Sequence, residues 1–140
     1  EYNCRFGEPE TQTIMMRLKS ELVTLCQAAL DQKLDQVDTE WDERAALGVV
    51  MAAGGYPDAY AKGKVIKGLP QTVSEDNKVF HAGTQVQNGN IVTAGGRVLC
   101  ACALGHDIAE AQTKAYELCS QIDWEDVYYR TDIGFKAIKP

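Results

Sequence analysis

No apolar run in the sequence approaches the roughly 20 residues needed to cross a membrane. No basic, apolar, small-residue succession marks a signal peptide. Basic residues are scarce: 14 Lys and Arg stand against 20 Asp and Glu, for a net charge of −6. That balance excludes general nucleic-acid binding, which needs basic patches to displace counterions from phosphates. There are only two histidines, His81 and His106, and neither has Cys or carboxylate neighbours at metal-ligand spacing. Structural roles are therefore expected for both. The five cysteines are odd in number and include no C-x-x-C pair. Reduced, buried thiols are the expectation, in a cytoplasmic protein. The glycine pairs Gly54-Gly55 and Gly95-Gly96 form neither G-x-G-x-x-G nor a Walker loop, so they read as turns. Internal repeats and low-complexity tracts are also missing.

What is present is an ordinary globular mixture, 45% hydrophobic and 24% charged. Residues 1–6 alternate polar and apolar and predict a strand, broken at Gly7 and Pro9. A helix is expected over residues 10–18, with Ile14, Met15 and Leu18 on one side. Ser20 can cap a second helix, in which Leu22, Leu25, Cys26, Ala29 and Leu30 form one apolar stripe. The acidic stretch "DQVDTEWDE" has no sustained period and places a domain boundary near residues 35–44. The expected division is 1–40 and 41–140.

Beyond it the texture changes. "AALGVVMAAGG" predicts a buried strand and turn, "YPDAYAKG" a loop or single helical turn, and "KVIKGL" and "KVFHAG" two short strands. Asn88-Gly89 accepts the positive φ angles of a tight hairpin between two further strands. "GRVLCACAL" is the strongest strand, with Cys100 and Cys102 on one side of it. In "HDIAEAQTKAYELCSQI", Asp107 and Glu110 have capping-box spacing, and Ile108, Ala111, Ala115, Leu118, Cys119 and Ile122 line one face. "VYYRTDIGFKAI" predicts a last extended segment with a turn at Gly134, and its Arg and Asp beside two tyrosines read either as a polar patch facing a partner domain or as a capped turn. Hairpins grouped before a helix make the class α+β.

The opening strand would carry Glu1, Asn3 and Arg5 on one face, about 7 Å apart in succession. Glu and Asn offer oxygens that suit a hard divalent cation, and Arg5 beyond them suits a phosphoryl oxygen. The same pattern also fits the solvated face of an edge strand. The first residue is not Met and already lies within this pattern, which suggests a fragment of a longer protein.

"RFGEPETQ" resembles the signature R-F-G-D-P-E-x-Q of the glycinamide ribonucleotide synthetase family, the phosphoribosylamine–glycine ligases. Arg5, Phe6, Gly7, Pro9, Glu10 and Gln12 match it, and Glu8 replaces the family's Asp, adding one methylene. "EYN" resembles the E-x-N that closes an ATP-grasp fold and holds magnesium. "WDERAALGVVMAAGGYP", "GKVIKGLP", "KVFHAGT", "GGRVLCACALG" and "YYRTDIGFKAI" resemble, in order, blocks of the same family's carboxyl-terminal domain. The resemblance implies the end of an ATP-grasp core over residues 1–40, then a small, mainly antiparallel domain with one long helix. It also implies an activity: ATP-dependent joining of glycine to 5-phosphoribosylamine through glycyl phosphate, early in purine biosynthesis. Carried over residue by residue, Glu1 and Asn3 become ligands of Mg²⁺ or Mn²⁺. Arg5 becomes a catalytic contact to phosphoryl oxygens, and Gly7, Glu8 and Glu10 shape the substrate pocket. The implied partners are ATP, the two substrates and the missing amino-terminal and ATP-grasp domains; this piece alone is expected to be inactive. Two other readings are a fragment of another ATP-grasp enzyme, such as a carboxylase, and a binding or scaffold module without chemistry.

Overall fold

The computed structural model describes residues 4–72 and 74–138. Its centre is a three-stranded antiparallel sheet in the order β1-β5-β2, with β1 at Ala45–Ala52, β5 at Arg97–Gly105 and β2 at Asn77–His81. β5 sits in the middle for a compositional reason. It reads RVLCACALG, and every residue after Arg97 is buried, as suits a strand covered on both faces. In register, Val49 faces Ala101 on one side, while Val79 faces Ala101 on the other. β3 (Thr84–Gln87) and β4 (Asn90–Thr93) form a separate hairpin. Its turn has φ +51° at Asn88 and +77° at Gly89, the conformation this pair was expected to supply.

The pleat of the sheet separates two layers of packing. Leu47, Val49, Met51, Leu99, Ala101 and Ala103 share one core with Ala111, Ala115, Leu118 and Cys119 of α3 (Ile108–Gln121). Small alanines on both elements let helix and sheet approach closely. The helix starts where the sequence indicates: the Asp107 carboxylate accepts from Glu110 N at 2.8 Å, and Glu110 reaches back to accept from His106 N at 2.6 Å. On the opposite face lie Gly48, Cys100 and Cys102, against α1 (Glu10–Arg17), whose Thr13 methyl would meet any Cβ placed on Gly48. Arg17 donates Nε and Nη2 to Asp42 O, at 3.0 and 2.9 Å. The Asp42 carboxylate in turn accepts from Arg44 N, Nε and Nη2 at 2.8–3.0 Å. These bonds tie the end of α1 to the entry of β1.

Several expectations need correction. Residues 1–3 lie outside the described residues, and residues 4 and 5 form a bend, with φ +52° at Cys4, which no strand accommodates. Phe6 is exposed, and no described strand pairs with residues 4–6, so no ladder holds them extended. Ser20 does not cap α2 (Leu22–Leu30): Glu21 is at the cap position, and the Ser20 hydroxyl instead accepts from Glu40 N at 2.7 Å. "KVIKGL" is not a regular strand. Its Val65 and Lys67 make single bridges to Val92 and Asp123, because Gly68 turns the chain at φ +75°. "FKAI" is helical, forming α4 (Phe135–Ile138) after the turn at Gly134. Of the cysteines, 100, 102 and 119 are buried as expected, but Cys4 and Cys26 are exposed; none forms a disulfide. The apolar stripe of α2 is not buried either: Leu22 and Leu30 are 43% and 80% exposed.

Candidate functional site

The segment from Gly7 to α1 is built by its own polar groups. Gly7 N donates to the Glu10 Oε1 carboxylate at 2.9 Å, and Gly7 O accepts from the Thr11 hydroxyl at 2.6 Å and from Thr11 N at 3.1 Å. Glu10 thus reaches back to bind the amide three residues before it, in the manner of a capping box. Gly7 is buried and has no room for a side chain, since a Cβ would strike the Glu10 carboxylate. Glu8 leaves this loop on its exposed side. Its Oε2 lies 3.6 Å from Arg97 Nη2, and its carbonyl accepts from Arg97 Nη1 at 3.3 Å. The loop is therefore connected to the beginning of β5.

Of the residues singled out from the sequence, the structure brings Gly7, Glu8 and Glu10 together. Arg5 is exposed, with its Nη1 3.4 Å from Phe6 O. Glu1 and Asn3 lie outside the described residues. His81 Nδ1 shares a 3.0 Å hydrogen bond with the Thr84 hydroxyl, and His106 serves α3 through its backbone N–H.

Next to Pro9 the structure opens a cavity of about 300 Å³ that the sequence did not indicate. Its floor is the α1-side face of β1, at Gly48, Val50 and Ala52, continued by Ile133. Tyr56, Tyr128, Arg97 and Arg130 complete the wall. Each wall residue is fixed by a separate contact. Ala52 and Tyr128 exchange backbone hydrogen bonds of 2.7 and 3.0 Å, docking the segment after α3 along the edge of β1. From α3, Tyr116 Oη donates to Arg130 O at 2.7 Å and accepts from Ile133 N at 3.0 Å, and Gln112 Nε2 donates to Ile133 O at 2.6 Å. Arg130 donates Nε and Nη2 to the two Asp132 oxygens at 2.8 and 2.6 Å. That pairing holds the Asp132 carboxyl below its usual range and orients the guanidinium. Tyr56 packs on Gly96, where any Cβ would overlap the ring.

These wall residues come from four stretches far apart in sequence, so no local motif could have announced them. The only signal was the "YYRTDIG" patch, whose Arg130 and Tyr128 do share the site.

The buried thiols on the same face are not part of the cavity. Cys100 and Cys102 Sγ lie 3.5 Å apart, confirming the expected shared side. The Cys100 contact, together with burial, pushes the Cys102 thiol up, and burial, with a smaller contribution from Cys100, pushes Cys119 up to about 12. Cys102 and Cys119 therefore act as packing groups rather than as nucleophiles. Among the described residues, no set of three or more His, Cys, Asp or Glu is placed to hold a metal ion, and no helix is long and apolar enough to cross a membrane.

Comparison with known proteins agrees with this geometry. Residues 46–136 match the family model described as "Phosphoribosylglycinamide synthetase, C domain". The chain is 64% identical over 138 residues to the phosphoribosylamine–glycine ligase of Vibrio parahaemolyticus, covering 99% of this chain and 32% of that protein. It is 61% identical over 140 residues to the ligase of the same name from Escherichia coli O157:H7, covering 99% and 33%. The crystal structure of phosphoribosylamine–glycine ligase from Thermotoga maritima superposes with a TM-score of 0.71 at 37% identity, over 94% of this chain and 32% of that one. The chain thus spans about a third of the length of the relatives it matches. Its sheet, its long helix and the match over residues 46–136 place the chain in the phosphoribosylglycinamide synthetase C-domain family.

Proposed function

We propose that the chain is the carboxyl-terminal part of an ATP-dependent ligase that joins glycine to 5-phosphoribosylamine, forming glycinamide ribonucleotide, ADP and phosphate in cytoplasmic purine biosynthesis. The observation that carries this reading is 64% identity across 99% of the chain to a phosphoribosylamine–glycine ligase. In this reaction the glycine carboxylate takes up the terminal phosphoryl group of ATP. The amine of the sugar phosphate then attacks the acyl carbon of glycyl phosphate and displaces phosphate. Such a transfer places most of its catalytic demand on positioning and on neutralising phosphoryl charge.

The residues take the following parts. Arg5, exposed at the start of the loop, would hold phosphoryl or acyl-phosphate oxygens with its planar fork. Gly7, Glu8 and Glu10 would shape the pocket for glycine and the amine, the bond from Gly7 N to Glu10 keeping that loop in one conformation. The donor set of Glu1 and Asn3, a carboxylate and an amide oxygen, fits Mg²⁺ or Mn²⁺. Two such ligands leave most coordination positions to nucleotide phosphates and water, as is usual for Mg²⁺. When bound, the cation neutralises charge on the transferring phosphoryl group.

The remainder of the enzyme would supply the lid and most of the nucleotide site, with the division near residue 40 separating the end of the ATP-grasp core from the carboxyl-terminal domain. The exposed apolar face of α2, with Leu22, Val23 and Leu30, supports this arrangement, since the two thirds of the ligase lying outside this chain can cover it.

The test is ADP release dependent on glycine and phosphoribosylamine in the full-length ligase, with thermal melting as control. Glu1→Gln keeps the shape and removes one negative charge; turnover is expected to fall about 100-fold or more with an unchanged melting temperature. Near-normal turnover in a folded variant would make residues 1–5 a solvated edge. No glycine-dependent ADP release from the unsubstituted ligase would overturn the function.

A further inference from the structure

We infer that the cavity walled by Tyr56, Arg97, Tyr128 and Arg130 binds the ribose 5-phosphate portion of the amine substrate, an assignment that rests on the ligase reading above. The cavity offers a pentose phosphate both kinds of surface it needs. Its floor of Gly48, Val50, Ala52 and Ile133 is apolar and can take the carbon face of a furanose, and the exposed rings of Tyr56 and Tyr128 can flank the sugar. At about 300 Å³ the space lies at the small end of ligand sites, suited to a single sugar phosphate rather than a nucleotide.

The two guanidiniums supply the charge. A phosphate monoester carries about −1.5 to −2 at neutral pH and offers three acceptor oxygens. Asp132 occupies one edge of Arg130, at Nε and Nη2, which aims the guanidinium and leaves its Nη1 donors for a ligand. Arg97 faces the Glu8 carboxylate at 3.6 Å, beyond hydrogen-bond length, so a phosphate can take its place without breaking a short bond. Pro9 belongs both to the cavity wall and to the loop that carries Gly7, Glu8 and Glu10. A sugar phosphate seated here therefore lies against the loop proposed to receive glycine, and its arrival would exchange partners at Glu8. An apolar ligand would fill the floor and leave the Nη1 edge of Arg130 unused, and an inorganic anion would leave the floor wet; a sugar phosphate engages both.

Kinetics of the full-length ligase test the assignment. Arg130→Gln is expected to raise KM for phosphoribosylamine about tenfold or more while leaving KM for ATP and glycine unchanged; Arg97→Gln should raise KM for phosphoribosylamine similarly and leave KM for ATP unchanged. Arg97→Lys should recover part of the loss, since it restores charge without the fork. A folded, active pair of variants with an unmoved KM for the sugar phosphate would overturn the assignment; an inactive unsubstituted enzyme would instead overturn the ligase reading. Should the variants fail to fold, the unsubstituted chain decides. In a nuclear magnetic resonance titration with millimolar ribose 5-phosphate, the Arg130 Nε–H and the Tyr56 and Tyr128 ring signals should move, and ribose or inorganic phosphate alone should move them much less. No movement with ribose 5-phosphate, or equal movement with inorganic phosphate, would overturn the assignment.

Discussion

Single residues in this protein matter most where the backbone of one element touches another. Gly68 is the clearest case. It adopts φ +75° and brings the chain against the end of α3, where any Cβ would fall within the van der Waals envelope of Gln121 O. Two costs therefore combine on substitution, the left-handed conformation of an L-residue and a clash with main chain that cannot rotate away. Gly68→Ala is expected to destabilise the fold by about 2 kcal/mol or more. Urea unfolding measures it, and an unchanged midpoint would mean that this contact is loose in solution. Gly89, by contrast, has a positive φ but nothing within 4 Å of a built Cβ, so its demand is conformational alone.

At the scale of elements, α2 and α3 show how differently similar apolar stripes can be used. α3 has a side-chain cap, and Ala111, Ala115, Leu118 and Cys119 are buried against the sheet. α2 has no side-chain cap and no buried residue, although it is more apolar along its length. Burial of a full Leu or Val is worth about 1.5–3 kcal/mol, so the packed face of α3 dominates its stability and the cap adds to it. Asp107→Ala is expected to cost about 1 kcal/mol, a fall of several degrees in melting temperature, while Asp107→Asn should cost little because the amide oxygen still accepts from Glu110 N. A loss equal in both variants would locate the effect in charge rather than in the cap.

The whole molecule carries a net charge of −6, yet several of its carboxylates are held by cations. Hydrogen bonds from Arg44 hold Asp42 well below the usual carboxylate range, Arg130 lowers Asp132, and Lys114 lowers Glu110. Each group has a folded-state value below its unfolded one. Its contribution is therefore complete above the ordinary carboxylate value near 4 and is lost as pH falls through the depressed value. Melting temperature should thus stay level from about pH 7 to pH 5 and decline below about pH 4. Asp42→Asn should flatten that acid limb, because it removes the carboxylate that hydrogen bonds from Arg44 hold so far below its ordinary range; an acid limb as steep as in the unsubstituted chain would show that other carboxylates govern it.

How much of this was visible in advance depends on the distance over which each feature is determined. The β3–β4 turn, the burial of β5, the face of α3 and its cap all follow from residues within a few positions of one another. Alternation, helical spacing and the φ preference of Asn-Gly act locally, so the sequence by itself determined these elements and the α+β class. The matches within the Arg5 to Gln12 stretch and the later blocks, in order along the chain, likewise determined the family. The tertiary structure alone decided three things. Residues 4–6 and the Ser20 hydroxyl depart from their local preferences, because their partners are set by position in space. The stripe of α2 remains largely exposed because no described element buries it, which periodicity cannot report. The cavity was invisible because Tyr56, Arg97 and Arg130 are separated by long intervals of chain and are brought together only when β5 pairs with β1 and the segment after α3 docks along the edge of β1. A strand pattern records which side of a sheet a residue faces, but convergence of distant side chains on one cavity depends on packing between elements.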